Sequence, residues 1–193
     1  MKRYILVFVC ILIVAALLGC SLEYHNVISQ DNVSFYTSSI RKICFAGGYN
    51  WDGDKDSMNI NIPDKVDGYY IKALGGYTGR GFPTPFCVLL PEKLKEDAVL
   101  NCHSDTPGDV PIEELHFTIN IGANIKELKN VNFKRYYLYG NYIKNFYGYS
   151  IAVSINCSEK NKTFYSKDGK LYRRSDDSLV DEFFYYDESK DSL

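Results

Sequence analysis

The sequence has no excess of basic charge, since 22 Lys and Arg residues stand against 24 Asp and Glu and the net charge is −2. A nucleic-acid-binding domain usually carries a strongly basic face, so we expect no nucleic-acid partner. Histidine is scarce, with three residues in the chain, and no Gly-x-Ser-x-Gly, P-loop or His-Glu-x-x-His motif occurs. The sequence therefore gives no motif for hydrolysis or nucleotide binding, and we expect no enzyme activity and no cofactor.

Cys-x-x-Cys pairs are also absent, which argues against a zinc site, and no metal is expected. Beyond the first twenty residues the cysteines are Cys44, Cys87, Cys102 and Cys157. Outside the cytoplasm they could form two disulfides, in any of three pairings. Buried free thiols in a strand-rich core are an equal alternative.

Proline is infrequent, with 6 residues, whereas aromatic residues make up 15% of the chain and 17 of them are Tyr. Apolar residues reach 46%, which is enough for a core and excludes wholesale disorder. Aromatic and β-branched side chains favour strands. The composition therefore predicts a mainly β protein.

The chain begins with a targeting segment. Lys2 and Arg3 precede 15 uncharged residues at 4–18, too short a run for a typical spanning helix. The segment closes with Leu17-Leu18-Gly19-Cys20, which resembles the lipobox of bacterial lipoproteins. That resemblance implies a signal peptide at 1–19, cleavage before Cys20, and a diacylglycerol thioether on that cysteine. An uncleaved anchor helix and a plain secreted protein are the alternatives.

A lipid on Cys20 would make the membrane a partner and place the domain in the cell envelope, outside the cytoplasm. Two or more acyl chains give long-lived attachment, whereas one gives marginal binding. Removal of residues 1–19 leaves 20 basic and 24 acidic residues, a net charge of −4. That sign does not favour close approach to anionic headgroups, so we interpret residues 20–37 as a tether.

A weak repeat follows the tether. Three apolar segments, each predicted to be the end of a strand, are followed by a strand-breaking residue at Pro63, Pro91 or Gly122. After each of these residues, apolar residues recur at a spacing of three. This pattern predicts stacked coils, each adding one strand to a growing parallel sheet. A compact sandwich of short strands is the alternative. Asp67-Gly68 and Asp168-Gly169 each predict a two-residue hairpin turn.

Two segments resemble BspA-like leucine-rich repeat proteins: residues 60–75 (INIPDKVDGYYIKALG) and residues 161–172 (NKTFYSKDGKLY). The resemblance implies a short right-handed leucine-rich-repeat-like solenoid with parallel strands and hairpin caps, covering residues 38–186. It also implies a bacterial cell-surface protein with an adhesion or binding role. Residues 187–193 are predicted to be an acidic tail.

An aromatic and basic stretch is the candidate binding surface, because Tyr supplies large contact area with few rotamers. An extracellular protein or a glycan is the expected ligand, and the alternative is that the rings cover a face of the fold. The candidate residues are Lys134, Arg135, Tyr136, Tyr137, Tyr139 and Tyr142.

Two chemical alternatives are weaker. Asp52, Asp54 and Asp56 alternate like the start of a calcium loop, but the flanks predict strands and a solvated turn is preferred. His116 or Cys102-His103 could serve a hydrolase only if other groups converged on them. We therefore expect a lipid-anchored surface protein with a non-catalytic binding role. A structural envelope lipoprotein without an external ligand is the main alternative, and a hydrolase is the next.

Overall fold

A computed structural model describes residues 24, 26–54, 58–78, 81–91, 114–131, 133 and 150–187. Within these residues every regular element is a strand, so the prediction of a mainly β chain is confirmed. The strands are β1 (Asn26–Gln30), β2 (Val33–Ser38), β3 (Ile43–Asn50), β4 (Asn59–Ile62), β5 (Lys65–Val66), β6 (Tyr69–Leu74), β7 (Gly76–Tyr77), β8 (Pro83–Thr84), β9 (Val88–Leu89), β10 (Glu114–Ile121), β11 (Glu127–Leu128), β12 (Ser150–Cys157), β13 (Phe164–Lys167) and β14 (Lys170–Arg173).

The larger sheet is mixed. Its order is β1-β2-β3-β6-β11, with β5 also paired to β6 and β9 to β3. β2 is antiparallel to both of its neighbours, β1 and β3, whereas β6 and β11 continue the sheet in parallel with β3. The structure differs here from the predicted tether, because β1 and β2 lie largely within residues 20–37 and Val33 and Phe35 are fully buried.

The smaller sheet is parallel, with order β12-β10-β4. Its three strands alternate apolar and polar residues, so one face is buried and the other is polar. Ile60, Ile119 and Ile155 are in register across the sheet, and each is fully buried.

The predicted solenoid is wrong. Stacked coils require every winding to add one parallel strand to the same sheet. The segment around Leu90, predicted as the second rung, supplies β9, which pairs with β3 of the mixed sheet, while β10 pairs directly with β4. The connections are unequal, with residues 63–113 between β4 and β10 but residues 122–149 between β10 and β12. The two connections differ too much in length to be copies of one repeat. Part of the longer connection, β9, pairs with β3 of the mixed sheet.

The two-residue turns predicted from Asp-Gly are confirmed. Asp67 and Gly68 have φ values of 44° and 78° between β5 and β6, and Asp168 and Gly169 have 50° and 70° between β13 and β14. Positive φ at both central residues is the signature of a type I′ turn, whose twist matches the flanking strands.

The two sheets bury one common core. Phe117, on the inward face of β10, meets the ring of Trp51 edge-on at 5.4 Å and that of Tyr49 at 6.3 Å, near the end of β3. All three side chains are buried at 5% exposure or less. Burying a side chain of this kind contributes about 1.5–3 kcal/mol, so this contact holds the parallel sheet against the mixed one.

The turns that follow β4, β10 and β12 are tied together by polar side chains. The Asp64 carboxylate accepts hydrogen bonds from the amides of Ala123 (2.5 Å) and Asn124 (3.2 Å). Asn161, which is 1% exposed, donates from Nδ2 to the carbonyls of Gly122 (2.9 Å) and Ile125 (3.0 Å).

Asn161 also accepts, at Oδ1, the amides of Thr163 (2.8 Å) and Phe164 (2.9 Å). All of its bonds go to backbone groups, so one buried side chain joins the turn after β10 to the start of β13. Loss of these hydrogen bonds would destabilise the fold, because the backbone groups would stay buried without partners.

We expect Asn161→Asp to lower the free energy of unfolding by about 3 kcal/mol. The substitution removes both donors and brings a carboxylate against two carbonyl oxygens. Urea unfolding followed by the fluorescence of Trp51 measures the change. Asn50→Asp, at an exposed position of β3, is the matched control and should change stability by less than about 0.5 kcal/mol. Equal urea midpoints for the two variants would contradict the assigned role of Asn161.

Candidate binding face on the parallel sheet

The site residues predicted from the sequence lie outside the described residues. They are the lipidation site Cys20 and the surface residues Lys134, Arg135, Tyr136, Tyr137, Tyr139 and Tyr142. His25, Cys102 and His103 also fall outside.

Phe133 directly precedes the aromatic and basic stretch, and the structure describes it. It is 1% exposed, and its ring packs against Phe86 at 5.3 Å and Phe183 at 5.6 Å. For this residue the alternative interpretation holds, since the ring fills the core.

A different surface is presented by the polar face of the parallel sheet. Register places outward residues in two rows of three, each row crossing β4, β10 and β12. Neighbouring strands lie about 4.8 Å apart, and alternate residues on one strand about 6.7 Å, so the six side chains form a small flat grid. The members are Asn61, Asn120 and Asn156 in one row and Asn59, Thr118 and Ser154 in the other.

The first row is a ladder of amides. Asn120 donates from Nδ2 to Oδ1 of Asn61 at 2.8 Å, and Asn156 donates from Nδ2 to Oδ1 of Asn120 at 3.1 Å. Each amide has two donor hydrogens and two acceptor lone pairs, so the ladder uses only part of its capacity. The ladder orients the side chains and still offers donors and acceptors to a ligand.

His116 extends the face along β10. Its Nε2 is 2.8 Å from the hydroxyl of Ser154, and its ring stacks on Tyr186 with centroids 3.8 Å apart and planes 9° from parallel. Both rings are partly exposed. The grid therefore has an aromatic edge, formed by a strand residue and a residue from the C-terminal segment.

A His–Ser hydrogen bond raises the question of acyl transfer, which needs amide donors aimed at the developing oxyanion beside the nucleophile. The amides that flank Ser154 are already used: that of Val153 donates to Phe184 O and that of Ile155 donates to Gly169 O, both at 2.8 Å. Ser154 also sits inside a strand and not at a sharp turn. The geometry favours a positioning contact over a catalytic dyad.

The described cysteines Cys44, Cys87 and Cys157 are free. Burial raises the pKa of the Cys44 thiol to about 12 and that of Cys87 to about 11. Burial likewise raises the pKa of Cys157 to about 11, although Arg174 acts in the opposite direction. A thiol that stays protonated at neutral pH is a poor nucleophile, and Cys44 is a fully buried core residue.

The calcium alternative is not favoured at the described positions. The amide of Asp54 donates to Oδ1 of Asp52 at 3.0 Å, and the indole of Trp51 donates to the carbonyl of Asp54 at 2.7 Å. These bonds form a local turn, as the sequence predicted; Asp56 lies outside the described residues.

The amide ladder was missed by the sequence reasoning, although a signal for it exists. The tripeptides Ile60-Asn61-Ile62 and Ile119-Asn120-Ile121 repeat, and Ile155-Asn156-Cys157 follows the same alternation. A shared polar residue between two buried neighbours indicates strands that present it on one face.

The chain matches no protein-family model, and comparison with characterised proteins and with solved structures finds no match. The likeness of residues 60–75 and 161–172 to BspA-like proteins therefore stays a prediction. Among the described residues there is no helix long and apolar enough to cross a membrane.

We expect alkylation of Cys44 by iodoacetamide to require a higher pH in the folded protein than in urea. The thiolate is the reacting species, and burial raises the pKa of this thiol from 9.0 to about 12. Site-resolved mass spectrometry across pH 8 to 11 measures the reaction. The denatured chain is the control, with its midpoint near pH 9. The same midpoint in both states would contradict the burial of this thiol.

Ionisation of these thiols is also linked to stability. Below pH 9 they are protonated in both states, so their full contribution is present there. Above pH 9 the thiols of the unfolded chain ionise, whereas those of the folded protein remain protonated. The free energy of unfolding therefore falls as the pH rises from about 9 to the folded pKa values of about 11 to 12.

Proposed function

We propose that this protein is a lipid-anchored, non-catalytic binding protein of a bacterial cell envelope, and that the polar face of the parallel sheet holds an uncharged glycan. The observation that carries the proposal is the amide ladder of Asn61, Asn120 and Asn156.

The chemistry of the face suits a ligand rich in hydroxyl groups. All six residues of the grid are uncharged, and each can both donate and accept hydrogen bonds. The stacked rings of His116 and Tyr186 add a flat apolar edge, against which the C–H face of a sugar can pack. A strongly charged ligand would find no counter-charge in the grid.

Preorganisation supports binding over a purely structural role. Ordering flexible side chains costs about 0.5–1.5 kcal/mol for each group immobilised on binding. The ladder and the His116–Ser154 hydrogen bond already order these side chains in the free protein, so less conformational entropy is lost on binding.

Attachment would come from Cys20, through the predicted lipid. Single glycan contacts are weak, and anchoring many copies on one surface raises the effective concentration of sites. The predicted lipid on Cys20 would hold the protein at the cell surface, and the polar face of the parallel sheet would bind glycans there.

For the binding face, we expect Asn120→Ala to weaken retention on an array of neutral microbial and animal glycans by about tenfold or more. Asn120 is the central amide of the ladder, so its loss removes both internal bonds together with the ligand contacts. Binding of the purified, fluorescently labelled chain to the array is the measurement.

Asn26→Ala is the matched control, because Asn26 is an exposed strand asparagine on the mixed sheet. It should bind as the unchanged protein does. The proposal fails if no neutral glycan retains the protein, or if Asn120→Ala binds as well as Asn26→Ala. Loss of folding is checked separately by the urea midpoint, because Asn120 is half-buried and its substitution removes two side-chain hydrogen bonds.

For the anchor, we expect the full chain, expressed in a bacterium, to incorporate an alkyne-tagged fatty acid and to sediment with membranes. Cys20→Ala should abolish the label, because the thioether needs that sulfur. Cys10→Ala, inside the predicted signal peptide, is the control and should keep the label. Labelling that survives Cys20→Ala would contradict the lipoprotein prediction.

A further inference from the structure

A cluster of lysines surrounds Tyr70 on the mixed sheet. We name it the Lys–Tyr patch, and its members are Lys65, Lys72, Lys126 and Tyr70. It lies on β5, β6 and the adjacent turns, whereas the neutral grid lies on the parallel sheet. The inference drawn from it does not depend on the proposed function.

Two ammonium groups sit over the Tyr70 ring. Lys65 Nζ is 4.2 Å from the ring centroid, and Lys72 Nζ is 5.1 Å from it. Cation–π contacts of this kind contribute about 0.5–1 kcal/mol at exposed sites, so they hold the charges in defined places.

Strand register puts Lys65, Lys72 and Tyr70 on one face of the sheet, whereas Tyr69 shares the opposite face with Val66 and Ile71. Lys65 is the cross-strand partner of Tyr70, and Lys72 lies two residues further along β6. The amide of Lys126 donates to the carbonyl of Lys72, and the next residue pairs with Ala73, so Lys126 stands beside Lys72. Directly opposed residues of neighbouring strands share a face of the sheet.

Two of the neighbouring carboxylates contact other groups. Asp64 accepts the amides of Ala123 and Asn124, and Glu127 pairs with Lys129 at 2.8 Å. Asp67 lies at the hairpin turn that joins β5 to β6. Three cations thus gather on one face of a chain whose net charge is −2, and this local excess of positive charge favours an anionic partner.

We propose that the Lys–Tyr patch binds an anionic polysaccharide, one whose sugars carry sulfate or carboxylate groups. Ammonium groups provide point-charge partners for sulfate and carboxylate. Tyr70 is 40% exposed and offers a ring between the charges on which a sugar can stack. The combination of a flat ring and flanking cations fits a charged sugar chain better than a bare anion.

The test uses heparin as the sulfated probe and dextran as its uncharged counterpart. The triple variant Lys65→Gln, Lys72→Gln, Lys126→Gln should bind immobilised heparin about tenfold more weakly or worse. Binding of the unchanged protein should fall steeply as salt rises, because exposed charges are screened within about 8 Å at physiological ionic strength. Dextran should not compete.

The matched control changes the same net charge elsewhere. Lys160→Gln, Lys162→Gln and Lys167→Gln alter three exposed lysines on and near β13 and should leave heparin binding unchanged. The conservative triple Lys65→Arg, Lys72→Arg, Lys126→Arg keeps the charges and should retain binding. Tyr70→Ser removes the ring alone and should weaken binding without a change of charge.

Three outcomes would overturn the proposal. One is equal loss in the two Gln variants, which would mean that bulk charge alone decides. Another is an unchanged affinity of the Lys65, Lys72, Lys126 variant when its urea midpoint is unchanged. The third is binding to phosphatidylglycerol vesicles with none to heparin, which would assign the patch to a membrane surface.

Discussion

The constraint on which the structure depends is the burial of one face of a three-stranded parallel sheet. Ile60, Ile119 and Ile155 lie in register on that face and are fully buried. Such a sheet cannot shield its own apolar side, so it packs through Phe117 on Trp51 and on the core of the mixed sheet. Because side chains alternate along a strand, this burial also forces the amide ladder outward. The candidate binding face is a consequence of the packing.

The fold exposes two surfaces of different chemistry. The parallel sheet presents an uncharged grid with an aromatic edge, and the mixed sheet presents cations around an exposed tyrosine. Both surfaces are sheet faces, and the amides that flank Ser154 are used within the fold. Polar turn contacts, above all those of Asn161, hold the ends of the parallel strands in place.

Local features were predictable because their causes lie within a few residues. Asp67-Gly68 predicted the turn between β5 and β6, and Asp168-Gly169 predicted the turn between β13 and β14. The solenoid failed because the choice of strand partner is not local. Val88 and Leu89 carry the apolar character of another rung, yet they pair with Tyr49 and Asn50 in the other sheet. The predicted aromatic surface at 134–142 lies outside the described residues.

By itself the sequence determined the β character of the chain, the positions of its Asp-Gly turns and the alternation of polar and apolar residues, because these follow from backbone sterics and side-chain hydrophobicity at short range. The tertiary structure decided which strands became neighbours, and so which residues share a face. Asn61, Asn120 and Asn156 lie 59 and 36 residues apart in the chain and meet only after pairing. Lys65 and Lys126 likewise come to one patch only through the strands beside β6. Such encounters depend on the burial of distant apolar faces, which no local pattern specifies.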